Sequence, residues 1–393
     1  MWSSTASVRN DLVAATNTLH VSRDQVLAYR AGVHGLGDAT ESRRDDVLGT
    51  GLQDNPPGRT ALVALALRGQ HSPRGTSLVH SLRAAMHLHR TGDLGRYAAA
   101  LRHEDGSELS EQSFGPFGGE LAAIGLGFGE ALDGVGAAMR NVMADGVART
   151  KGELSSAVTP LVDRRVTPWC DGCGVHHVYD ALFRYGTLQA GLEIEVESPT
   201  LFRFVRTDET TARADADRSR AEIVRRFLRM AGPAKPVHLA PWLGLTPAGA
   251  KRWWTLAEDK LTAVSVEGRR AWMHAEDVAE LTDPPEPPVL RLLPPYDPVT
   301  ELGDRELLVP DPAQRRKIWR AVSNPGVLLL RGDIRGVWRQ KTSGGRLTIT
   351  LDPFAALTVA QRRAATVDAQ ALARHSGAPD VEVRIAKPPV LDA

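Results

Sequence analysis

The amino-acid sequence predicts an α+β protein with three tandem winged helix-turn-helix units followed by a small β-domain. A pattern of helical stretches that ends in a short hairpin occurs three times before residue 283. After it, the Pro-rich segment LTDPPEPPVL precedes the strand-like segments LRLLPPYDPVT, GVLLLRGDIRGVWRQK and GRLTITLDP. We therefore expect domains at residues 20–115, 116–210, 218–283 and 289–385.

The third unit shows the pattern most clearly. AEIVRRFLRMAG has apolar residues at helical spacing and ends on Gly232, and AKPVHLAPWLGL ends on Gly244. Thr246, followed by a proline, is a typical N-cap for a third helix. LTAVSVEGRRAWMH alternates around Glu267-Gly268, which predicts a two-residue turn. Three helices and a hairpin are typical of a winged helix, whose third helix enters a major groove.

The two upstream units have the same kind of pattern. Thr150-x-x-Glu153 is a capping box that opens a helix, VHHVYDALFRYG is the next helix, and LEIEVESPTLFRFV is the wing. In the first unit, Ser22-x-x-Gln25 caps QVLAYRAGVHG, SRRDDVLGTG is a short helix, and PPGRTALVALALRG is the third helix. SLVHSLRAAMHLHR follows as its strand region. Three such units in one chain predict an extended concave surface that follows a DNA duplex.

Composition sets broad limits on the class of protein. The 393 residues carry a formal net charge of +1, which neither indicates nor excludes binding to nucleic acid, because affinity depends on where the cations lie. No apolar run reaches the roughly 18 residues of a membrane span, and the N-terminal segment lacks the pattern of a secretory signal. Two cysteines are too few for a disulfide-stapled fold. We therefore expect a cytoplasmic protein.

The segment GTGLQDNPPGRT, residues 49–60, permits two interpretations. Asp54 or Asn55 could cap the following helix, with proline at its entry, but this leaves Gln53 unexplained. The alternative is chemical, because cleavage of a base from its sugar passes through an oxocarbenium-like transition state and needs a water held below C1′. Carboxamides can hold that water. A cationic base such as N7-alkylguanine leaves without a strong general acid, so such a site needs no metal.

The segment LRAAMHLHRTGDL, residues 82–94, is the second candidate. If it is a strand, Arg83, His87 and His89 share one face. The functional interpretation is phosphate contact by Arg83 and Arg90, with His87 near the target base. The structural alternative is an Arg–Asp pair involving Asp93, with solvated histidines.

The segment WCDGCGVHHV, residues 169–178, brings four soft ligands together: Cys170, Cys173, His176 and His177. A zinc site is one interpretation, although the second ligand pair usually comes from a more distant segment, and the two histidines would point apart on a helix. A tight turn that caps the following helix is the other. A redox centre is not favoured, because no thioredoxin-like pattern surrounds it. We expect no cofactor, apart from a structural zinc ion if this segment binds one.

Cations of the third unit are candidates for DNA contacts. Lys251 and Arg252 could bind phosphates from the third helix, although a solvated face explains them as well. The adjacent Trp253-Trp254 pair cannot share a helical face, so we expect one ring in the core and the other at its edge. Arg269 and Arg270, at the tip of the hairpin, could press on a minor groove.

Several of these segments together carry a resemblance. They are QVLAYRAGVHGL, GLQDNPPG before a helix, LRAAMHLHRTGDL, FLRMAGPAKPVHLAPWLGL, LRLLPPYDP and GVWRQK. From about residue 20 to 375, the sequence resembles the AlkZ-like winged-helix DNA glycosylases. The resemblance implies tandem winged helices with a C-terminal β-domain, double-stranded DNA as the partner, and excision of bulky alkylated purines, including cross-links.

The family's catalytic motif is Gln-x-Gln or Gln-x-Asp in a loop before a helix. Here the matching residues are Gln53-Asp54-Asn55, so the resemblance implies that Gln53 and Asn55 hold the attacking water. Asn55 departs from the family pattern and has a reach about one methylene shorter than Gln. A non-catalytic DNA-binding protein or transcriptional regulator is the alternative, but such a protein would dimerise on a palindrome. Three unequal units in one chain favour a monomeric enzyme.

Overall fold

A computed structural model describes residues 18–37, 44–69, 72–114, 123, 125–207 and 214–386. The prediction about a secretory signal, and the first residues of the SRRDDVLGTG helix, lie outside these ranges. Within them, no helix combines the length and apolarity that crossing a bilayer requires.

The described chain is a mixed α and β structure with several small sheets. The helices are α1 (Arg23–Val33), α2 (Arg44–Thr50), α3 (Thr60–Ala66), α4 (Leu94–Ala100), α5 (Glu111–Phe114), α6 (Phe128–Val142), α7 (Lys151–Val158), α8 (Asp180–Gln189), α9 (Ala216–Ala231), α10 (Pro236–Leu243), α11 (Pro247–Thr255), α12 (Val278–Thr282), α13 (Arg305–Leu308), α14 (Pro312–Ile318) and α15 (Val359–His375). The strands are β1 (Leu19–Val21), β2 (Leu52–Gln53), β3 (Thr76–His80), β4 (Met86–Arg90), β5 (Arg149–Thr150), β6 (Trp169–Cys170), β7 (Val175–His176), β8 (Leu192–Ser198), β9 (Leu201–Arg206), β10 (Leu261–Val266), β11 (Arg269–His274), β12 (Arg291–Leu293), β13 (Gly326–Leu330), β14 (Asp333–Ser343), β15 (Arg346–Pro353) and β16 (Asp380–Ile385).

The elements predicted for the third unit are present: α9, α10 and α11 lead into the hairpin β10–β11. The Thr246 side chain accepts a hydrogen bond from the Gly249 amide at 3.2 Å, which caps α11 as expected. Glu267 and Gly268 have φ values of 47° and 77°, the left-handed conformation of a two-residue hairpin turn. Strand β1, which we did not predict, pairs parallel to β10.

The prediction that only one of two adjacent tryptophans lies in the core is wrong. Trp253 and Trp254 are 1% and 3% exposed. Helix α11 has neighbours on two sides: the Trp253 ring stacks on His103 at 6.0 Å, and the Trp254 ring meets Trp272 of the hairpin at 6.4 Å. Two residues on different faces of one helix are therefore both buried.

The two upstream units contain most of their predicted elements. The capping boxes at Ser22 and Thr150 are both formed. Strands β8 and β9 make the expected wing hairpin, and β3 and β4 form another, with β2 on the far side of β4. The helix predicted from VHHVYDALFRYG begins only at Asp180, because the preceding residues form the small hairpin β6–β7.

One hydrophobic core joins these three segments. A single cluster of buried side chains extends from Val21 to Leu302 and includes residues of each predicted unit, such as Leu82, Leu182 and Leu228. The division into three winged helices and a C-terminal domain, at the boundaries given above, stays a prediction.

The C-terminal part is built on a five-stranded sheet, β12 to β16 in sequential order. Strands β12 to β15 pair antiparallel, whereas β16 returns parallel to β15 after α15. Helix α15 covers one face of the sheet and buries Ala365, Ala369 and Leu372 against it. The other face packs against α1 through Leu27. The sequence predicts the β-strands of this region but not α15 or β16.

Two buried ion pairs fasten the N-terminal segment to this region. The Arg68 guanidinium donates to both carboxylate oxygens of Asp297, at 2.8 and 3.0 Å, and Arg30 pairs with Asp304 at 2.6 Å. The side chains of Arg68 and Asp297 are 4% and 0% exposed. Asp297 also caps the turn Pro298–Glu301, so the pair fixes that turn relative to α3.

We expect Arg68→Met to lower the free energy of unfolding by about 3–5 kcal/mol, because it leaves the Asp297 carboxylate buried without its cation. Chemical denaturation measures this. Arg346→Met is the control, since the Arg346–Asp380 pair is more than half exposed on both sides and should contribute about 1 kcal/mol or less. Equal losses of unfolding free energy in the two variants would contradict a special contribution from the buried Arg68–Asp297 pair. Adding Asp297→Leu to Arg68→Met should restore much of the stability, because the unpaired buried carboxylate is then removed.

Candidate active site

The loop Gln53–Asn55 leaves the edge of a three-stranded sheet. Strand β2 pairs antiparallel with β4, which places Gln53 opposite His87. The Asp54 amide continues the pairing and donates to the Met86 carbonyl at 2.9 Å. The loop therefore starts from a rigid strand edge, and α3 begins only a few residues later.

Asp54 is the residue that caps α3. Its carboxylate accepts hydrogen bonds from the amides of Gly58, Arg59 and Ala61 at 2.5, 3.0 and 3.1 Å, and its side chain is buried. A carboxylate in this position satisfies amides that the first turn of a helix leaves without partners. The Asp54 carboxylate therefore has a structural role at the start of α3.

Thr60 holds the backbone on both sides of Asp54. Its hydroxyl donates to the Gln53 carbonyl at 3.0 Å and accepts from the Asn55 amide at 2.9 Å. With Asp54 directed inward, the side chains on either side of it face outward: Gln53 is half-buried and Asn55 is exposed. The loop thus presents two amides on its accessible side.

Arg83 orients the Gln53 amide. Its guanidinium donates to Gln53 Oε1 at 2.5 Å, to Glu301 Oε2 at 3.3 Å and to the Trp242 carbonyl oxygen. Because Oε1 faces the cation, the Nε2 group of Gln53 is the end that faces away. None of the described residues accepts a hydrogen bond from that group. Gln53 therefore offers a fixed and available N–H donor.

This placement corrects one expectation about Arg83. Strand β4 begins only at Met86, so Arg83 does not share a strand face with the histidines. It lies in the tight turn Leu82–Ala84 with a φ of 57°, and its side chain is only 13% exposed. Its guanidinium is directed into the protein, towards α10 and the turn Pro298–Glu301. Arg83 therefore positions Gln53 in this structure, and its contact with phosphate stays a prediction.

Tyr296 orients the second amide. Asn55 Nδ2 donates to the Tyr296 hydroxyl at 3.3 Å, which leaves Asn55 Oδ1 as an acceptor. Tyr296 has a φ of 62°, a conformation that costs a bulky residue roughly 1–3 kcal/mol and persists where the surroundings impose it. Sequence reasoning assigned no role to Tyr296 or Glu301, since PPYDP and the residues after it show no catalytic pattern. Their roles follow only from tertiary contacts: Tyr296 contacts Asn55 directly, and Glu301 contacts Arg83, which holds Gln53.

A cleft of about 740 Å³ opens beside Asn55. Its lining includes Arg59 at the start of α3, Tyr296, and Trp338 and Arg339 of the C-terminal sheet. Trp338 is buried, so the half-buried Tyr296 ring is the stacking surface, and the guanidinium groups of Arg59 and Arg339 offer charge to an anionic ligand. Asn55 therefore lies at a cleft that also carries aromatic and cationic side chains.

The histidines of β4 are buried, so the structural alternative is wrong in making them solvated. Burial lowers the pKa of His89 to about 3 and holds the pKa of His87 well below its usual range. Both rings are consequently neutral near pH 7. The predicted Arg–Asp pair exists: Arg90 donates to Asp93 at 2.8 Å, and Arg226 binds the same carboxylate. Contact of His87 with a target base and of Arg90 with phosphate stays a prediction.

The remaining cationic candidates lie on the surface. Lys251 and Arg252 are exposed on α11, and Arg252 pairs with Glu108 at 2.7 Å. Arg269 and Arg270 are exposed at the start of β11. Their positions permit phosphate contacts, and those contacts stay a prediction.

The Cys/His segment separates into two groups. Ligand atoms of Cys170, Cys173 and His177 all lie within 4.8 Å of one another. His176 does not belong to this cluster, and its Nδ1 atom lies 3.0 Å from the Thr167 carbonyl oxygen. Three of the four candidate ligands therefore lie together, and metal binding stays a prediction.

Comparisons with known proteins identify the class. A family model described as "DNA glycosylase AlkZ-like" matches residues 50–375, so the chain belongs to the AlkZ-like family of DNA glycosylases. It is thus an enzyme of the DNA glycosylase class. No curated protein matches the sequence.

Among solved structures, the chain resembles the DNA glycosylase AlkZ of Streptomyces sahachiroi. The TM-score is 0.72 with 23% sequence identity, over 94% of this chain and 100% of the other. At this identity the likeness establishes a shared fold.

We expect Tyr296→Phe to slow base release about tenfold or less, because it removes only the hydroxyl that orients Asn55, a contribution of about 0.5–1.5 kcal/mol. Single-turnover excision from alkylated duplex measures the rate. Thermal denaturation and binding to undamaged duplex should stay close to wild type. Excision at the wild-type rate would show that Asn55 needs no orienting partner.

Proposed function

We propose that this DNA glycosylase hydrolyses the N-glycosidic bond of N7-alkylated purines in duplex DNA, including adducts of the cross-link type. The observation that carries the proposal is the arrangement of the two loop amides. Arg83 turns the nitrogen of Gln53 outward, and Tyr296 leaves free the oxygen of Asn55, which lines a cleft. One side chain thus offers a donor and the other an acceptor, and together they can hold one water molecule.

The water reacts as the nucleophile. Gln53 Nε2–H donates a hydrogen bond to one lone pair of the water oxygen. One O–H group of the water donates a hydrogen bond to Asn55 Oδ1. The second lone pair of the water oxygen attacks C1′ as the bond from C1′ to the purine nitrogen breaks. The electron pair of that bond neutralises the cationic base, and the excess proton of the attacking water passes to solvent.

A cationic leaving group suits the protonation states around the loop. His87, opposite Gln53, is buried and its depressed pKa keeps it neutral, so it is not a general acid near pH 7. An N7-alkylated purine already carries the positive charge that protonation would otherwise supply. The reaction therefore depends on placing water and on stabilising the sugar cation.

The Arg83–Glu301 pair suits that second requirement. Positive charge develops at C1′ in the transition state, and an isolated guanidinium nearby would oppose it. The Glu301 carboxylate lies 3.3 Å from the Arg83 guanidinium and offsets its charge. Arg83 can then orient Gln53 without raising the barrier as much as a free cation would.

The cleft offers room for a modified base. Its volume of about 740 Å³ lies in the range of roughly 300–1,000 Å³ that small-molecule sites occupy. Arg59 and Arg339 are exposed at its walls, where phosphates or the polar groups of a bulky adduct can reach them. The surface cations of α11 and β11 would bind the duplex backbone, and one chain would act as a monomer.

We expect Gln53→Ala and Asn55→Ala each to lower the excision rate by about 10²–10³, the usual effect of losing one preorganised group at a reacting centre. The assay incubates the protein with duplex containing N7-methylguanine or a nitrogen-mustard cross-link and measures alkali-labile abasic sites. Both variants should bind undamaged duplex like wild type, since neither side chain is a proposed phosphate contact.

Two control variants test whether the effect is specific to the loop amides. Asn55→Gln restores the family's Gln-x-Gln pattern and should retain excision. Gln370→Ala removes an exposed amide on α15, far along the chain, and should leave the excision rate unchanged. Tight duplex binding by the wild type with no abasic product on any alkylated substrate would overturn the proposed substrate class.

We expect Lys251→Ala to weaken binding to undamaged duplex and to reduce the slope of log affinity against log salt by about 1, because one phosphate contact is lost. Fluorescence anisotropy across a salt series measures both. The loss should be similar for different DNA sequences. An unchanged salt slope would remove Lys251 from the DNA-binding surface.

A further inference from the structure

The hairpin β6–β7 has the geometry of a metal-binding turn. The amides of Cys173 and Gly174 both donate to the Cys170 carbonyl, at 3.2 and 2.8 Å, so the Cys-x-x-Cys-Gly segment folds tightly back on itself. Gly174 has a φ of 65°, a conformation that glycine adopts readily. This turn brings the two thiols to one side of the hairpin, and both are free cysteines.

His177 completes the group from the residue after β7. Its Nδ1 atom lies 2.8 Å from the Val178 carbonyl oxygen, so Nδ1–H donates there and Nε2 carries the free lone pair. A backbone carbonyl that orients the imidazole in this way is the usual outer-shell partner of a metal-bound histidine. The ring is therefore already held in the tautomer that binds a metal.

We propose that Cys170, Cys173 and His177 bind a zinc ion, with water in the fourth position. Their ligand atoms lie within 4.8 Å of one another. Zinc bonds of about 2.3 Å to sulfur and 2.0–2.1 Å to nitrogen would need only a small contraction of this cluster. Cys170 is half-buried and Cys173 is exposed, so water reaches the open position.

The donor set selects the metal. Two thiolates and an imidazole are borderline-soft ligands that suit zinc, whereas calcium and magnesium require oxygen ligands. His176 is not one of the three ligands, because it lies outside the cluster formed by Cys170, Cys173 and His177. Its ring contacts the Thr167 carbonyl oxygen and packs edge-on against Trp169 at 5.3 Å. His176 therefore serves as the matched control for substitution of His177.

The site would stabilise the segment that leads into α8. Between the hairpin and that helix, the Tyr179 amide donates to the Val166 carbonyl at 3.1 Å, which ties the two ends of the segment together. Helix α8 then supports the turn that carries Arg83, where Arg184 donates to the Ala84 carbonyl at 3.4 Å. The metal would therefore act through the stability of this segment.

The test strips the full-length protein with a chelator and returns Zn²⁺ or Co²⁺ under reducing conditions. We expect equimolar zinc by elemental analysis, a higher midpoint of thermal unfolding with zinc than without, and the thiolate-to-cobalt charge-transfer and tetrahedral d–d bands with Co²⁺. Wild-type protein without equimolar metal or without those bands would overturn the site, and this result does not depend on any variant folding.

Variants identify the ligands. Cys170→Ser, Cys173→Ser and His177→Gln should each lose the cobalt spectrum or shift it strongly, with circular dichroism reporting whether the chain remains folded. His176→Gln should retain the wild-type spectrum and stoichiometry. A spectrum unchanged in His177→Gln would overturn the three-ligand site, and so would equal losses in His176→Gln and His177→Gln.

Discussion

The Arg83 guanidinium is the group on which the rest of the site depends. A cation that is only 13% exposed must be paired and hydrogen-bonded, or burial costs several kcal/mol. Its partners come from three separate parts of the chain: the loop at Gln53, the carbonyl of Trp242 in α10, and Glu301 in the turn after β12. The same contacts that satisfy the charge therefore bring the loop, the third predicted unit and the C-terminal region together. The site exists only when all three have assembled.

The two loop amides contribute by their orientation and not by ionisation. Asp54 has its carboxylate committed to the start of α3, and Thr60 fixes the backbone on both sides of it. Gln53 and Asn55 then differ only in which end of the amide is held, one by a guanidinium and the other by a phenol. Amides neither gain nor lose a proton near neutral pH, so they contribute by preorganised dipoles. This is the type of assistance that a reaction needs when its leaving group is already charged.

Much of the local structure could be predicted from the sequence. The capping boxes at Ser22 and Thr150, the N-cap at Thr246 and the Glu267-Gly268 turn depend on residues at most three positions apart, so a short window contains the whole cause. The same holds for the helical and strand periodicities of the third unit. Gln53 could also be singled out, because a glutamine before an Asx-Pro helix start has no local structural explanation.

Only the tertiary structure decided which way the functional side chains face. Nothing in the sequence indicates that Arg83 is mostly buried, since its burial is set by segments more than 150 positions away. Asn55 meets Tyr296 across 241 positions, and no periodicity connects them. The burial of both Trp253 and Trp254 likewise depends on elements that pack against two sides of α11. The sequence by itself determined the local elements and the amide loop, because their causes are local, whereas the direction of each charged or polar group depended on distant partners that desolvate and pair it.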